Sequence, residues 1–133
     1  PALAAEIYGA TVLREGVEDE PGNVTRFVWL ARAGDATLGT ATPSDDARWR
    51  TSVVFSGDGD GQPGWLVRCL SEFAFRGVNL TKIESRPSRH RMGHYLFHVD
   101  LDGSLDDRPT ADAIDALRVH CTDVRVLGSY PAA

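Results

Sequence analysis

The chain has 133 residues, room for one ordinary domain with a fragment beside it but not for two full cores. A net charge of −5 argues against general binding to nucleic acid or anionic membranes, and 42% hydrophobic with 25% charged residues suits a globular protein rather than a disordered one. No run approaches the ~18 apolar residues of a membrane span, and two cysteines, Cys69 and Cys121, make neither a disulfide framework nor a zinc site, so a reducing cytoplasm is the expected compartment.

The chain opens on Pro1-Ala-Leu-Ala-Ala-Glu6, with no basic region and no long apolar stretch, which reads as the middle of a gene product and not as a signal peptide. Ala2 to Tyr8 predicts a helix, and Gly9 suits the position just past its end. Ala10 to Leu13 reads as a short strand, Glu15 to Gly22 as a polar turn, and Phe27-Val-Trp-Leu-Ala31 as a strand buried on both faces. A strand of that kind needs neighbours that so short a piece does not supply, so further sequence upstream is expected. Residues 35–49 are small, polar and aperiodic, as in a linker.

Beyond it the periodicity is stronger. Thr51 to Phe55 predicts a strand, and Gly57-Asp-Gly-Asp-Gly61 a flexible loop. Gly64 to Arg76 carries Leu66, Leu70, Phe73 and Ala74 at helical spacing, ended by Gly77. Leu80 to Glu84 predicts a strand and Ser85 to Gly93 a polar loop. From His94 to Leu101 the pattern alternates, with Tyr95, Phe97, Val99 and Leu101 on one face. Thr110 is the expected N-cap of a second helix with Ala113, Ile114 and Leu117 inside, and Val124 to Leu127 closes as a strand. The order βαββαβ predicts an α+β, ferredoxin-like unit, an antiparallel four-stranded sheet with both helices on one face. The other face is left bare, and alternating apolar residues there would favour a second copy.

Gly59-Asp-Gly61-Gln-Pro-Gly64 matches G-x-G-x-x-G, and Glu84 follows twenty residues after Gly64. Asp58 and Asp60 would set negative charge beside a pyrophosphate, and too little chain remains for a doubly wound sheet, so no nucleotide cofactor is expected. The same loop fails the EF-hand pattern at Gln62, Pro63 and Cys69. His90, His94 and His98 recur every four residues, but in a strand His94 and His98 stand about 13 Å apart and share no metal ion. Arg86, Arg89, His90 and Arg91 form a local basic patch, yet Met92 to Val99 lacks the aromatic pattern of an RNA-recognition sheet. They read as a solvated hairpin tip or as partners for carboxylates across a boundary. Thr25 and Arg26 at the mouth of the predicted strand suit an anion site, a weak signal alone.

Together these segments resemble the C-terminal part of prephenate dehydratase. Asn23-Val-Thr25-Arg26-Phe27 is similar to the TRF signature that closes its catalytic domain, and Gly77-Val-Asn-Leu-Thr-Lys-Ile-Glu84-Ser85-Arg86-Pro87 to its ESRP region. Pro63-Gly64-Trp65-Leu66 stands where the family has its GAL motif. The resemblance implies residues 1–34 as the end of the catalytic domain, 35–49 as linker and 50–133 as an ACT regulatory domain. It also implies a cytoplasmic lyase of phenylalanine biosynthesis that turns prephenate into phenylpyruvate, without cofactor or metal. Thr25 would stand at the departing ring hydroxyl and Arg26 at a substrate carboxylate. L-Phenylalanine would bind as feedback effector between ACT domains of two subunits in a dimer or tetramer, at Pro63, Gly64, Trp65, Leu66, Asn79, Leu80, Glu84, Ser85, Arg86 and Pro87. Prephenate would bind only with the upstream catalytic residues present. Trp65 replaces the usual alanine, and its indole would fill the pocket, retune it or point away. The rivals are the regulatory domain of an aromatic amino-acid hydroxylase, against which the TRF segment argues, and a dimerisation module without a ligand.

Overall fold

The computed structural model describes residues 2–20, 22, 24–32, 47–88 and 94–132, in two units, Pro1–Thr40 and Ala41–Ala133. In the first, α1 spans Ala2–Tyr8, and Ala10 N–H donates to the Ala5 carbonyl past Gly9. The strands expected at Ala10 to Leu13 and at Phe27 to Ala31 do not form. Phe27 and Leu30 are exposed, and Trp29 is 88% exposed. An isolated apolar run has nothing to accept its N–H groups or cover its side chains, so composition alone does not make it a strand. The expected linker lies mostly outside the described residues.

The second unit runs β1 (Trp49–Ser56), a 3₁₀ turn (Asp58–Gly61), α2 (Trp65–Ala74), β2 (Leu80–Pro87), β3 (Tyr95–Asp102), α3 (Arg108–His120) and β4 (Asp123–Pro131). The sheet order is β2-β3-β1-β4, with each neighbouring pair antiparallel. This is the expected βαββαβ ferredoxin-like arrangement. Boundaries differ: β1 starts at Trp49 and β4 runs on to Pro131, and β2 and α3 change more. β2 continues through Ser85, Arg86 and Pro87, which pair with Phe97, Leu96 and Tyr95, so the first third of the expected loop is ladder. Arg89, His90 and Arg91 lie outside the described residues. α3 begins at Arg108 with Asp107 as N-cap, and Thr110 is buried inside its first turn. Pro109 sits in that first turn, where a missing N–H costs nothing, and so places the start upstream of Thr110.

One sheet face holds the core. Val53, Phe55, Phe97, Val99 and Leu101 meet Trp65, Cys69 and Phe73 of α2 and Ala113, Ile114 and Leu117 of α3. The buried stripe of α2 is therefore 65, 69, 73, turned about one position from the expected one. Leu66 and Leu70 pack at its margin, and Ala74 is exposed. Trp65 decides the rotation, because an indole is the largest apolar surface the helix has to bury. It is 4% exposed, with its ring centroid 6.1 Å from that of Phe55 and 5.9 Å from that of Phe97.

The opposite face is polar rather than apolar. Ser52 Oγ donates to Asp100 Oδ1 at 2.6 Å and lies 2.9 Å from the Tyr130 hydroxyl, while Arg50 Nε stands 4.0 Å from Asp102 Oδ1. Lys82, Glu84 and Arg86 continue it on β2, in register with Asp100, His98 and Leu96. Such a face tolerates water without a cover.

The glycine loop is not a slack connection. A Cβ on Gly59 would strike the Trp65 ring, and one on Gly57 would come within 2.8 Å of its Cζ2. These glycines let the backbone lie on the indole. Trp65→Ala is expected to cost about 3–5 kcal/mol and Gly59→Ala about 1–3 kcal/mol. In the double variant the loss should fall short of the sum, because the clash disappears with the ring. Urea unfolding of the four proteins measures this.

Candidate ligand site

The expected ligand residues form two groups within the second unit. At one end of the sheet, Pro63 and Gly64 lead into α2, with Gly64 at φ +81° as its N-cap. Trp65 N–H donates to the Gln62 carbonyl at 3.2 Å and Arg68 N–H to the Gly64 carbonyl at 3.0 Å. Gly64 supplies no side-chain cap, so the Leu66 and Val67 amides are left at the helix mouth, a position suited to a carboxylate. Ser85, Arg86 and Pro87 finish β2 at this same end, where Ser85 and Phe55 both pair with Phe97.

Asn79 and Leu80 lie at the other end. Leu80 pairs with Leu101, which pairs with Thr51 near the start of β1. Asn79 Nδ2 donates to Asp102 Oδ2 at 2.8 Å, and Asp102 N–H donates to the Asn79 carbonyl at 2.9 Å. From Leu80 to Pro87 the strand covers about 23 Å. The two groups thus flank the sheet within one chain and do not converge. The side chain of Trp65 takes no part in either surface, because its ring lies in the core.

Glu84 stands between the groups. Its carboxylate accepts from Lys82 Nζ at 2.9 Å and from Arg86 Nε at 2.6 Å. The Lys82 bond first and the Arg86 bond second hold its pKa down to about 2. Thr25 and Arg26 are exposed on a segment of the first unit that is neither helix nor strand.

A junction that sequence reasoning missed joins α2 to the end of α3. Trp65 Nε1 donates to the His120 carbonyl at 2.7 Å, and the His120 ring meets Glu72 Oε1 at 2.8 Å. Glu72 also accepts from Arg76 Nη1 at 2.7 Å. These bonds, His120 before Arg76, lower the Glu72 pKa. Cys69 Sγ lies 3.7 Å from Cys121 Sγ. The i, i+4, i+7 spacing of Trp65, Cys69 and Glu72 is the signal that marks one helix face. A shallow cleft of about 190 Å³ opens at the α2 end, lined by Ser56, Gly57, Asp58, His94, Tyr95 and Thr122, none of them among the expected site residues. His98 lies in β3 and His94 just before it.

The fold defines a small ferredoxin-like α+β unit, and comparison with known proteins gives the relationship. No family model matches the chain. A prephenate dehydratase of Mycobacterium tuberculosis (strain ATCC 25618 / H37Rv) is 46% identical over 129 residues, 97% of this chain and 38% of that protein. Arogenate dehydratase 1 of Petunia hybrida is 42% identical over 144 residues, 98% of this chain and 32% of that protein. Among solved structures, prephenate dehydratase from Arthrobacter aurescens in complex with L-Phe superposes with a TM-score of 0.58 at 39% identity, over 68% of this chain and 31% of that one. The chain therefore resembles, over nearly its whole length, the C-terminal part of prephenate dehydratase, and it spans 38% of the length of the mycobacterial relative.

Because the folded pKa of Glu84 lies below its ordinary value, its ion pairs are present above the ordinary carboxylate range and are lost as pH falls toward about 2. An NMR titration of the Glu84 carboxyl should show it still ionised at about pH 4, with its midpoint rising toward the ordinary value in Lys82→Met.

Proposed function

We propose that this chain is the C-terminal part of a prephenate dehydratase. Residues 1–34 end the catalytic domain, 35–49 link, and 50–133 form an ACT regulatory domain that pairs with a second copy and binds L-phenylalanine as feedback effector. The observation that carries the reading is the placing of the α2 mouth and Asn79–Leu80 at opposite ends of one ferredoxin-like sheet, in a chain aligned with prephenate dehydratases. A ligand a few ångströms long does not reach both groups in one chain. Two copies related by a two-fold axis bring the α2 mouth of one against Asn79 and Leu80 of the other. The ligand carboxylate then meets the Leu66 and Val67 amides, and its apolar side packs on Leu66 and Leu80. β2 is an edge strand bearing Ile83, 49% exposed, and the Glu84–Pro87 segment, which suits it to the join.

The polar helix-free face directs pairing to this edge rather than to face-on stacking. Trp65 shapes the site from beneath by holding the loop before α2. The free thiols Cys69 and Cys121 support a cytoplasmic setting. In the parent enzyme the reaction is the conversion of prephenate to phenylpyruvate. Thr25 donates a proton to the leaving ring hydroxyl and Arg26 holds a substrate carboxylate, once the upstream catalytic residues surround them. Binding of phenylalanine by the regulatory domain is worth about 1–3 kcal/mol of coupling to that reaction.

Two measurements test this. The purified chain should show no dehydratase turnover, since Thr25 and Arg26 stand exposed on their segment, and measurable turnover overturns the division of the chain. Thermal unfolding with L-phenylalanine at about 100 times its dissociation constant should show added stability of ~2.7 kcal/mol, a rise of several degrees for a domain of this size. Tyrosine and tryptophan serve as controls. The absence of any shift at saturating ligand overturns the effector half and leaves a dimerisation module.

A further inference from the structure

The proposed function gives the two cysteines no part in binding or catalysis. Cys69 is fully buried on the inner face of α2. Cys121 is half-buried and caps α3, in an extended conformation at φ −119°, ψ +147°. They are 52 positions apart in sequence, yet their sulfurs lie 3.7 Å from each other. Cysteine used only as a small apolar residue has no need of such a neighbour.

The surroundings hold the pair in place from three sides. One turn before Cys69, the Trp65 indole N–H is bonded to the His120 carbonyl at 2.7 Å. Three residues after it, Glu72 meets the His120 ring at 2.8 Å. Beyond Cys121, Thr122 N–H donates to the Ser56 carbonyl at 2.9 Å. These bonds fix residues 120–122 against α2 and β1 with the two sulfurs in contact. A disulfide needs them roughly 1.6 Å closer, at the ~2.05 Å of the bond. With that backbone held, the move falls to the side chain of Cys121, which is partly open to water at a helix end while Cys69 is fully buried.

We propose that Cys69 and Cys121 are an oxidation site, closed by hydrogen peroxide into an intramolecular disulfide that fastens α2 to the α3–β4 junction. The more accessible Cys121 thiol, on losing its proton, attacks one peroxide oxygen. The O–O bond breaks, a sulfenic acid forms on Cys121 and one water leaves. The Cys69 sulfur then attacks the sulfenic sulfur, the S–O bond breaks, and a second water leaves with the Cys69 proton. The pair loses two electrons and the peroxide gains them. Burial pushes both thiols above the usual thiol range. The closure is therefore slow, and it belongs to sustained oxidative conditions rather than to rapid signalling. A thiol reductant reverses it.

The test uses the chain as it stands, dilute, treated with hydrogen peroxide and then with dithiothreitol. The intact mass should fall by about 2 Da, and both cysteines should become unreactive to a thiol reagent after unfolding. The protein should stay monomeric in covalent mass and gain roughly 10 °C in Tm, all reversed by dithiothreitol. Cys121→Ser should show neither the mass loss nor the Tm gain. That variant leaves the core residue Cys69 in place and alters only the half-exposed helix end. Two thiols still titratable after peroxide, chains cross-linked to one another, or a gain of about 32 Da from a sulfinic acid would each overturn the proposal.

Discussion

The second unit is organised around one indole. Trp65 enters the core at the first turn of α2, touches β1 and β3 through Phe55 and Phe97, and bonds the last carbonyl of α3. A single side chain thereby sets how deep the helix sits, how it is rotated and where the loop before it runs. The glycines at 57 and 59 follow from that ring, since no other residue lets the backbone pass over it. The helix mouth with its Leu66 and Val67 amides is therefore held by packing underneath it. In the proposed regulatory role, the core and the effector surface are two sides of the same loop.

What was legible in the sequence depended on how each element satisfies itself. β3 alternates because one face is core and the other polar, and the residues of its inner face could be read one by one. α3 showed its inner face through Ala113, Ile114 and Leu117. By contrast Phe27 to Ala31 looked like a doubly buried strand, yet a strand is a relation between segments and the described residues of its unit hold no partner for it. The rotation of α2 departs from the expected stripe of Leu66, Leu70, Phe73 and Ala74 because burial treats Trp65 and Cys69 as apolar volume too. β2 was cut short at Glu84 because Ser85, Arg86 and Pro87 carry turn-like composition, though their ladder with β3 overrides it.

The candidate site comes from the sequence as a set of residues, without its geometry. Gly64, Asn79 and Glu84 to Pro87 could be picked out by resemblance. That they lie at two ends of a strand is a fact of topology, because β1 and β2 run parallel on either side of β3. The junction of Trp65, Cys69 and Glu72 with residues 120 and 121 was invisible for the same reason. It joins positions about fifty residues apart, and no local pattern announces it.

The distance between the two halves of the proposed site has a consequence for how such a protein responds to its concentration. If each ligand bridges two chains, every pairing of chains creates two equivalent sites, and every ligand bound strengthens the pairing by the amount the pairing strengthens the ligand. Affinity is then not a property of the single chain. In dilute solution the ligand binds weakly because it must first assemble its own pocket, and at high chain density the same ligand binds tightly. An effector of this kind reads the abundance of the chain together with its own.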